Sequence, residues 1–521
     1  MLLSFFFGKK YHLKLFLFFY LLTITAFSNA QLKDKYPVDV LSVLKKSDKN
    51  RSSLEDAINY FEKLGDPLKL RAIYFLISNM DIHYSNDYYW ADSTGKRIDY
   101  REVDYPSLET ALNAFEAIKG KVGKVTPVPY TYTDIETISS GFLIGNVEGA
   151  FRKWKTGPYK NISFEQFCED ILPYRVSTEP LQQWREVYQK KFEWLADSAK
   201  NKNTEALLND LAIDFKSWFI NTWDLEKRSD PLPRLGPLQL LSRKKGNCDD
   251  IGDLEVYLLR SQGYPGRLEH VPFWATTTGR HYFNSTLDEN GKELPFDIST
   301  PKVKINGFSR EPSKVIRVTY SKQPKTLASS VSVNEIPVGF LRMVNYIDVT
   351  SKYWQTGNLN LPLFKTTAQK KIVYACVFNG FKWQPTWWAN VKSGSAVFEE
   401  MCRGAVFLPM FYDKGKLIPA GNPTAFGYKH QQLLQADTIN KQSITLKQQD
   451  KYLIFQPDKK YKLYYWRMGW KFLEGQQAKE GAAELIFSAV PKNALFLLVP
   501  EYSQGKERPF IIDDEGARVW F

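Results

Sequence analysis

One cysteine opens the clearest helical pattern of the chain, in the stretch GNCDDIGDLEVYLLRSQGYP at 246–265. Asn247 is the expected N-cap residue of this helix, so that Cys248 lies in the first turn. Gly263 and Pro265 end the pattern. Between them, apolar residues recur at the spacing of one helical face: Ile251, Leu254, Leu258 and Leu259. A thiol in the first turn of a helix is a candidate nucleophile.

The charges near Cys248 act on its thiol in opposite directions. The positive end of the helix dipole favours the thiolate, and so do three basic residues upstream: Arg243, Lys244 and Lys245. Asp249 and Asp250 stabilise the helix N-terminus but disfavour a further negative charge. Helix position alone therefore does not make this thiol reactive, and a nucleophile here needs a base.

The chain has five histidines, so the choice of a base is narrow. His12 lies in a segment that we expect to be removed, and His270 alternates with apolar residues as a structural strand histidine does. His281 opens HYFNSTLDENGKELPFDI, which predicts a hairpin with Asp297 on its returning strand. Asp288 is an alternative acidic partner, but it lies in the turn, where aspartate ordinarily accepts backbone hydrogen bonds.

The length of the hairpin loop decides whether His281 and Asp297 share a face of the sheet. A two-residue loop would place the two side chains on opposite faces. A three-residue loop at 289–291, with Gly291 in the left-handed conformation of a bulge, places Asp297 opposite Phe283 and on the face of His281. We therefore predict the three-residue loop.

Cys248, His281 and Asp297, in this order and spacing, resemble the triad of the transglutaminase-like superfamily of papain-type folds. In that superfamily the nucleophile's helix leads into a phrase such as LLR-x-x-G-x-P-x-R, matched here by Leu258, Leu259, Arg260, Gly263, Pro265 and Arg267. Two upstream stretches, FCEDILPYRV (167–176) and EPLQQWREVY (179–188), resemble the region before the core in secreted bacterial members of unassigned activity.

The resemblance implies an α+β chain in which Cys248 attacks an amide carbonyl, His281 transfers the proton and Asp297 orients the imidazole. The relatives commonly have a tryptophan two residues after the histidine, and Phe283 occupies that place here. The oxyanion donors would be the backbone N–H of Cys248 and one upstream group, for which Gln239 is available without being singled out. We expect no cofactor and no metal, since the sequence has neither a CxxC pair nor a His/Cys cluster.

The N-terminus predicts export. Lys9, Lys10 and Lys14 flank the start of an apolar run at 15–27, and Ala30 supplies the small residue of a cleavage site. We therefore expect a signal peptide at 1–30 and a periplasmic, cell-surface or extracellular protein. No later segment is long enough to span a membrane.

Losing the three lysines of the signal peptide lowers the formal charge of the chain from +13 to +10. Without a basic run or nucleic-acid motif, this charge favours anionic envelope polymers over nucleic acid as partners.

Composition divides the exported chain into four expected regions. Residues 31–201 are mainly helical, and 202–312 form the papain-like transglutaminase core. Short strand-like runs then predict a β-rich domain at 313–435 and a β-sandwich-like domain at 436–521.

The other cysteines and the clustered tryptophans of the chain have structural interpretations. Cys376 and Cys402 could form a disulfide, whereas Cys168 is expected to be a buried thiol. A group of tryptophans in the β-rich half could form a platform for sugar rings, although we expect core packing: Trp354, Trp383, Trp387, Trp388, Trp466 and Trp470.

Two classes of function follow from this sequence. The first is a secreted thiol enzyme that cleaves peptide or isopeptide amides, or transfers their acyl groups, through Cys248, His281 and Asp297. The second is a catalytically weak or inactive envelope protein whose β-rich domains bind polysaccharide or protein. The complete triad favours the enzyme.

Overall fold

The computed structural model describes residues 35–200, 202–222, 234–299, 304–305, 307, 309–365, 370–449 and 453–521. The expected signal peptide and its cleavage site at Ala30 lie outside the described residues. No helix in the described ranges is long and apolar enough to cross a membrane. The chain divides into two compact units, one of 1–83 with 133–144 and one of 84–132 with 145–521.

The first unit is helical. Its elements are α1 (Val38–Lys46), α2 (Arg51–Leu64), α3 (Pro67–Ser78), α5 (Asp134–Thr137) and the first turn of α6 (Ser140–Thr156). Gly65 ends α2 in the left-handed conformation, at a φ of 71°. The Asp66 side chain accepts hydrogen bonds from the backbone of Leu68 and Lys69, which caps α3. Gly65 and Pro67 therefore separate α2 from α3.

The second unit begins with a two-stranded sheet of β1 (Tyr84–Ala91) and β2 (Thr126–Thr133), joined through α4 (Leu108–Val122). Helices follow before the core: α7 (Phe164–Asp170), α8 (Arg185–Lys191), α9 (Trp194–Ser198) and α10 (Thr204–Trp218). A short parallel pair, β3 (Ile220–Asn221) with β4 (Lys245–Gly246), flanks α11 (Pro237–Arg243). Helix α11 and strand β4 therefore lie directly before the cysteine helix.

The core is helix α12 (Cys248–Ser261) packed on an antiparallel six-stranded sheet. In spatial order the strands are β10 (Tyr346–Asp348), β9 (Ile316–Val318), β5 (Arg267–Val271), β6 (His281–Leu287), β7 (Glu293–Asp297) and β8 (Lys304–Ile305). Every residue of α12 is buried. The expected boundary at 312 stays a prediction, although β9 and β10 of this sheet lie beyond it.

The β6–β7 hairpin has the three-residue loop that the sequence predicted. Asn284 pairs with Phe296 and Leu287 with Glu293, and the Asp288 backbone N–H donates to the Lys292 carbonyl at 2.8 Å. Gly291 has a φ of 77°. The same register places Asp297 opposite Phe283, and the ladder runs unbroken through Pro295.

After α13 (Thr350–Tyr353), the rest of the chain consists of β-strands in two successive groups. In the first, the pair β11 (Thr356–Pro362) and β14 (Ser395–Cys402) accompanies a sheet of β13 (Lys382–Asn390), β12 (Ile372–Asn379), β15 (Ala405–Asp413), β17 (Thr424–Phe426) and β18 (Gln431–Leu433), with β16 (Lys416–Pro419) on β15. Buried residues from both sheets share one apolar cluster, among them Leu359, Phe398, Val373 and Phe407.

The second group repeats this layered arrangement. The pair β19 (Asp437–Lys447) and β22 (Glu484–Lys492) accompanies β21 (Trp470–Gln477), β20 (Lys460–Trp466), β23 (Phe496–Pro500), β24 (Pro509–Ile512) and β25 (Arg518–Trp520). Its apolar cluster includes Leu446, Phe487, Leu463 and Phe510. Mixed helix and strand content makes the chain an α+β protein, as the sequence predicted.

All four cysteines lie in the described ranges, and none forms a disulfide. The Cys376–Cys402 bridge considered from the sequence is therefore wrong. Cys376 lies within β12 and Cys402 ends β14, and each thiol is buried in the first β-rich group. Cys168 is also buried, as expected.

We predict that Gly291→Ala loosens the β6–β7 hairpin, whereas Gly120→Ala stabilises α4. An added Cβ meets no atom within 4 Å at either site, but Gly291 has a positive φ and Gly120 is helical. The expected local costs are about +1 kcal/mol at Gly291 and about −0.5 to −1 kcal/mol at Gly120. Peptide-resolved hydrogen exchange measures both changes. Unchanged exchange in the hairpin of Gly291→Ala would contradict the bulge as the element that fixes the register.

Candidate active site

Cys248 is the first residue of α12, as its sequence context predicted. The Asn247 side chain accepts hydrogen bonds from the backbone N–H groups of Asp249 at 2.9 Å and Asp250 at 3.3 Å. The Asp250 carboxylate accepts in return from the Asn247 backbone N–H at 3.0 Å, which completes a capping box. Cys248 is only 2% exposed, so its thiol lies at a fixed and largely covered helix start.

Helix α12 is bound tightly to strand β6 one turn after the cysteine. The Asn284 side chain donates to the Gly252 carbonyl at 2.9 Å and to the Arg267 carbonyl at 3.2 Å. A Cβ at Gly252 would come within 2.7 Å of Cδ1 of Leu268, so a larger residue would require that side chain to shift. The backbone of Tyr282, the residue after His281, acts to lower the pKa of the Cys248 thiol. The thiol therefore lies near the start of the strand that begins with His281.

His281 and Asp297 lie together on the hairpin. Their Nε2 and Oδ2 atoms are 2.9 Å apart, and the two side chains are 13% and 4% exposed. Asp297 Oδ1 also accepts from the Ser299 backbone N–H at 2.8 Å and from its hydroxyl at 2.5 Å. Burial raises the pKa of Asp297, but the hydrogen bonds and charge of His281, with the Ser299 contacts, outweigh it and lower that pKa. An ionised Asp297 therefore accepts from Nε2, which leaves Nδ1 of a neutral imidazole as the basic nitrogen.

Aromatic rings fix the plane of the imidazole. Trp274 stacks on His281 with ring centroids 5.8 Å apart, and Phe283 lies 6.5 Å away with its ring inclined by 21°. Phe283 also packs edge-on against Tyr353 and Trp354. The imidazole is therefore flanked by aromatic rings from both the loop and the strand.

The Cys248 thiol is protonated at rest. Burial, followed by the carboxylate of Asp249, raises its pKa to about 12, although the backbone of Tyr282 and the charge of Arg234 act in the opposite direction. The Asp249 Oδ1 atom lies 3.5 Å from the sulfur, and Oδ2 pairs with the exposed guanidinium of Arg280 at 2.6 Å.

One of the basic residues expected to favour the thiolate has a different partner. Arg243 forms a buried pair with Glu102 at 2.6 Å. Arg234 approaches the site instead, donating to the Asp249 carbonyl at 2.7 Å and lying 4.4 Å from the centroid of the Tyr282 ring. Sequence reasoning missed Arg234 because its position near the thiol depends on the fold and not on spacing along the chain.

The two upstream stretches that resemble secreted relatives contact the helix that Cys248 begins. The Asp170 carboxylate pairs with Arg267 at 2.5 Å, and its carbonyl accepts from Arg260 at 3.2 Å. Arg260 also donates to the Arg175 carbonyl at 2.9 Å. Arg260 and Arg267 of the LLR-x-x-G-x-P-x-R phrase therefore bind residues of the FCEDILPYRV stretch. The two sequence patterns are thus the two sides of one contact.

The remaining candidates have other roles. The Gln239 side-chain oxygen accepts from the Gly236 backbone at 2.8 Å and so caps α11. His270 is buried and stacks on Tyr282 at 4.1 Å, with a pKa lowered well below its ordinary value by burial and by nearby cations. Asp288 accepts backbone hydrogen bonds within the hairpin turn, as expected.

Comparison with known proteins adds little to the description of the site. No protein-family model matches the chain, and no curated protein matches it. Among solved structures, the crystal structure of red sea bream transglutaminase is 10% identical, with a TM-score of 0.18 over 84% of this chain and 76% of that chain. A similarity this low does not establish a family.

We predict that Asp249→Asn speeds alkylation of Cys248 near neutral pH by at least about tenfold, the effect of one pKa unit. The substitution removes a negative charge beside the sulfur, so the thiol pKa falls and the thiolate fraction rises. Arg280→Gln should slow the reaction, because the charge of Asp249 loses its partner. Iodoacetamide labelling across pH, resolved by peptide mass spectrometry, measures both rates.

Cys402 is the internal reference for this experiment, since burial also raises its pKa to about 12. Its rate should be the same in both variants. Equal Cys248 rates in wild type and Asp249→Asn would show that the carboxylate does not control this thiol.

Proposed function

We propose that this protein is an exported thiol enzyme with a transglutaminase-like core, which cleaves peptide or isopeptide amides or transfers their acyl groups. The principal support is one arrangement: a His281–Asp297 pair at 2.9 Å on a hairpin, and Cys248 at the start of the helix that the Asn284 side chain of the same hairpin binds. A thiol, an imidazole and a carboxylate placed in this order are the groups that such acyl transfer requires.

The raised pKa of Cys248 favours activation by proton transfer over a preformed ion pair. In the proposed reaction Nδ1 of His281 takes the thiol proton as the sulfur attacks the amide carbonyl carbon. The same nitrogen then gives the proton to the leaving amine as the C–N bond breaks, leaving a thioester on Cys248. Asp297 remains ionised throughout and stabilises the imidazolium that forms.

Release of the acyl group repeats the proton transfer in reverse. Water or a second amine attacks the thioester carbonyl, His281 accepts the proton of the attacking group, and the thiol of Cys248 is restored. Hydrolysis and transamidation differ only in this acceptor. The backbone N–H of Cys248 at the helix start is a donor for the negative oxygen of the intermediate.

We predict that the purified exported chain forms a thioester with carboxamide peptides and that this species disappears in Cys248→Ala. His281→Ala should lower the rate of its formation roughly 10²- to 10⁴-fold, the range of general acid–base catalysis. Acid-quenched intact mass spectrometry over a peptide carboxamide library measures the thioester, and ammonia release measures the step that forms it. Incorporation of a fluorescent primary amine, compared with conversion of the carboxamide to a carboxylate, identifies the acceptor.

Cys402→Ala is the matched control, because it removes a buried thiol of similarly raised pKa from the β-rich half. It should leave the rate unchanged. Thioester formation that survives in Cys248→Ala, or its absence from the wild-type protein across the library, would count against the proposed function.

A second candidate function, binding of saccharide, rests on a cleft of about 810 Å³ in the β-rich half. Trp387 and Trp388 line it half-buried, with ring centroids 4.4 Å apart, and Asn390 and Glu399 add polar groups. Flat aromatic faces beside amide and carboxylate groups suit sugar rings. The core packing expected for these two side chains is therefore only partial.

We predict that cell-envelope oligosaccharides quench the tryptophan fluorescence of the protein and that Trp388→Ala weakens their binding at least about tenfold, through loss of one stacking surface. Cys248→Ala should bind as the wild type does, because the thiol takes no part in this cleft. Equal affinities of Trp388→Ala and wild type would exclude the cleft as the site.

A further inference from the structure

The loop at 272–280, between β5 and β6, leads directly into His281. Trp274 of this loop stacks on the imidazole, and its backbone N–H donates to the Gly279 carbonyl at 3.1 Å, which closes the loop on itself. Any shift of the loop would therefore move both the ring that packs on His281 and the backbone that precedes it.

One side chain from the β-rich half binds this loop at several points. The Nδ2 atom of Asn379 lies 2.9 Å from the Trp274 carbonyl, 3.0 Å from that of Thr277 and 2.9 Å from that of Gly279. Its Oδ1 atom accepts from the Gly279 backbone N–H at 3.0 Å. Asn379 is 5% exposed, so these contacts are made away from solvent. An amide is the side chain that supplies donors and an acceptor together.

The position of Asn379 is itself fixed by its own hairpin. Asn379 pairs with Lys382, and the two residues between them, Gly380 and Phe381, have φ values of 60° and 62°. Two successive positive φ values are typical of the tight two-residue turn that joins antiparallel strands. The amide is thus presented by a short turn at the end of β12.

A second residue of the β-rich half supports the same loop. The guanidinium of Arg508 donates to the carbonyls of Ala275 and Phe378, and its Nε donates to that of Phe521 at 2.9 Å. Burial lowers the pKa of Arg508 to about 10, so it remains a cation at neutral pH. Arg508 therefore links the loop to the strand that ends in Asn379.

We propose that Asn379 is a positioning residue for His281, which acts by fixing the 272–280 loop and through it the imidazole. This inference rests on the proposed function, since positioning matters only if His281 exchanges a proton with Cys248. It assigns the first β-rich group a part in the chemistry of the core, in addition to any binding by its cleft.

The test compares Asn379→Ala and Asn379→Asp with Asn360→Ala, which removes an exposed asparagine from strand β11 of the same β-rich group. Asn379→Asp keeps the shape but turns a carboxylate toward three carbonyl oxygens, so it should disturb the loop at least as much as Asn379→Ala. Asn379→Ser keeps one hydroxyl donor and serves if either variant fails to fold. Thermal unfolding midpoints establish that the variants compared are folded.

Two readouts follow His281 directly. The ¹⁵N chemical shifts of its ring report which nitrogen bears the proton, and iodoacetamide labelling of Cys248 across pH reports the thiol. In the Asn379 variants we expect the ring ¹⁵N shifts to lose the pattern of an imidazole protonated at Nε2. The pH dependence of Cys248 labelling should become that of His281→Ala, with a change in rate of about tenfold. Asn360→Ala should match the wild type in both.

The inference is overturned if folded Asn379→Asp keeps the wild-type ring shifts and Cys248 profile. Failure of the proposed function has a different signature: wild-type Cys248 would label like Cys402, and His281→Ala would change nothing. In that case the ring shifts of His281 still test whether Asn379 fixes the loop, because they do not depend on thiol reactivity.

Discussion

The contact between α12 and β6 is the interaction on which the candidate site depends. Gly252 leaves room for the Leu268 side chain of β5, which a Cβ would approach within 2.7 Å, and the Asn284 amide joins the helix to β6 through the Gly252 carbonyl. The start of α12, with Cys248, is thereby held against the sheet whose strand β6 begins at His281. A side chain at position 252 would require Leu268 to shift, which would disturb the packing between helix and sheet.

The electrostatics of this place oppose a resting thiolate. Cys248 is buried beside Asp249, whereas a preformed ion pair would need a medium and neighbours that favour negative charge. Arg280 is largely exposed, yet its pairing with Asp249 offsets part of that carboxylate's effect at the surface of the site. A thiol with so high a pKa stays protonated at neutral pH, and a protonated thiol reacts slowly with oxidants and alkylating agents.

The sequence was sufficient for features set by local geometry. The N-cap at Asn247, the helix break at Gly65 and the three-residue loop that brings Asp297 to the face of His281 all follow from short-range rules. Asn284, Arg234 and Asn379 were not predictable in this way. Each acts on residues distant in the chain, and the spacing of polar residues along a sequence does not encode such partners. The proposed Cys376–Cys402 disulfide failed for the same reason, because spacing gives no distance between strands.

The strand order of the core has a consequence for how this chain is made. β5 is covered on one side by β6 but on the other by β9, whose residues follow it by almost fifty positions, and β9 in turn pairs with β10. A nascent chain that has emerged only through the hairpin therefore has a complete set of reactive side chains but an open sheet edge, which is prone to pairing with other chains. Strands β9 and β10 cover this edge of β5 only once the chain has been synthesised through Asp348, so the six-stranded sheet is complete only at residue 348 of 521.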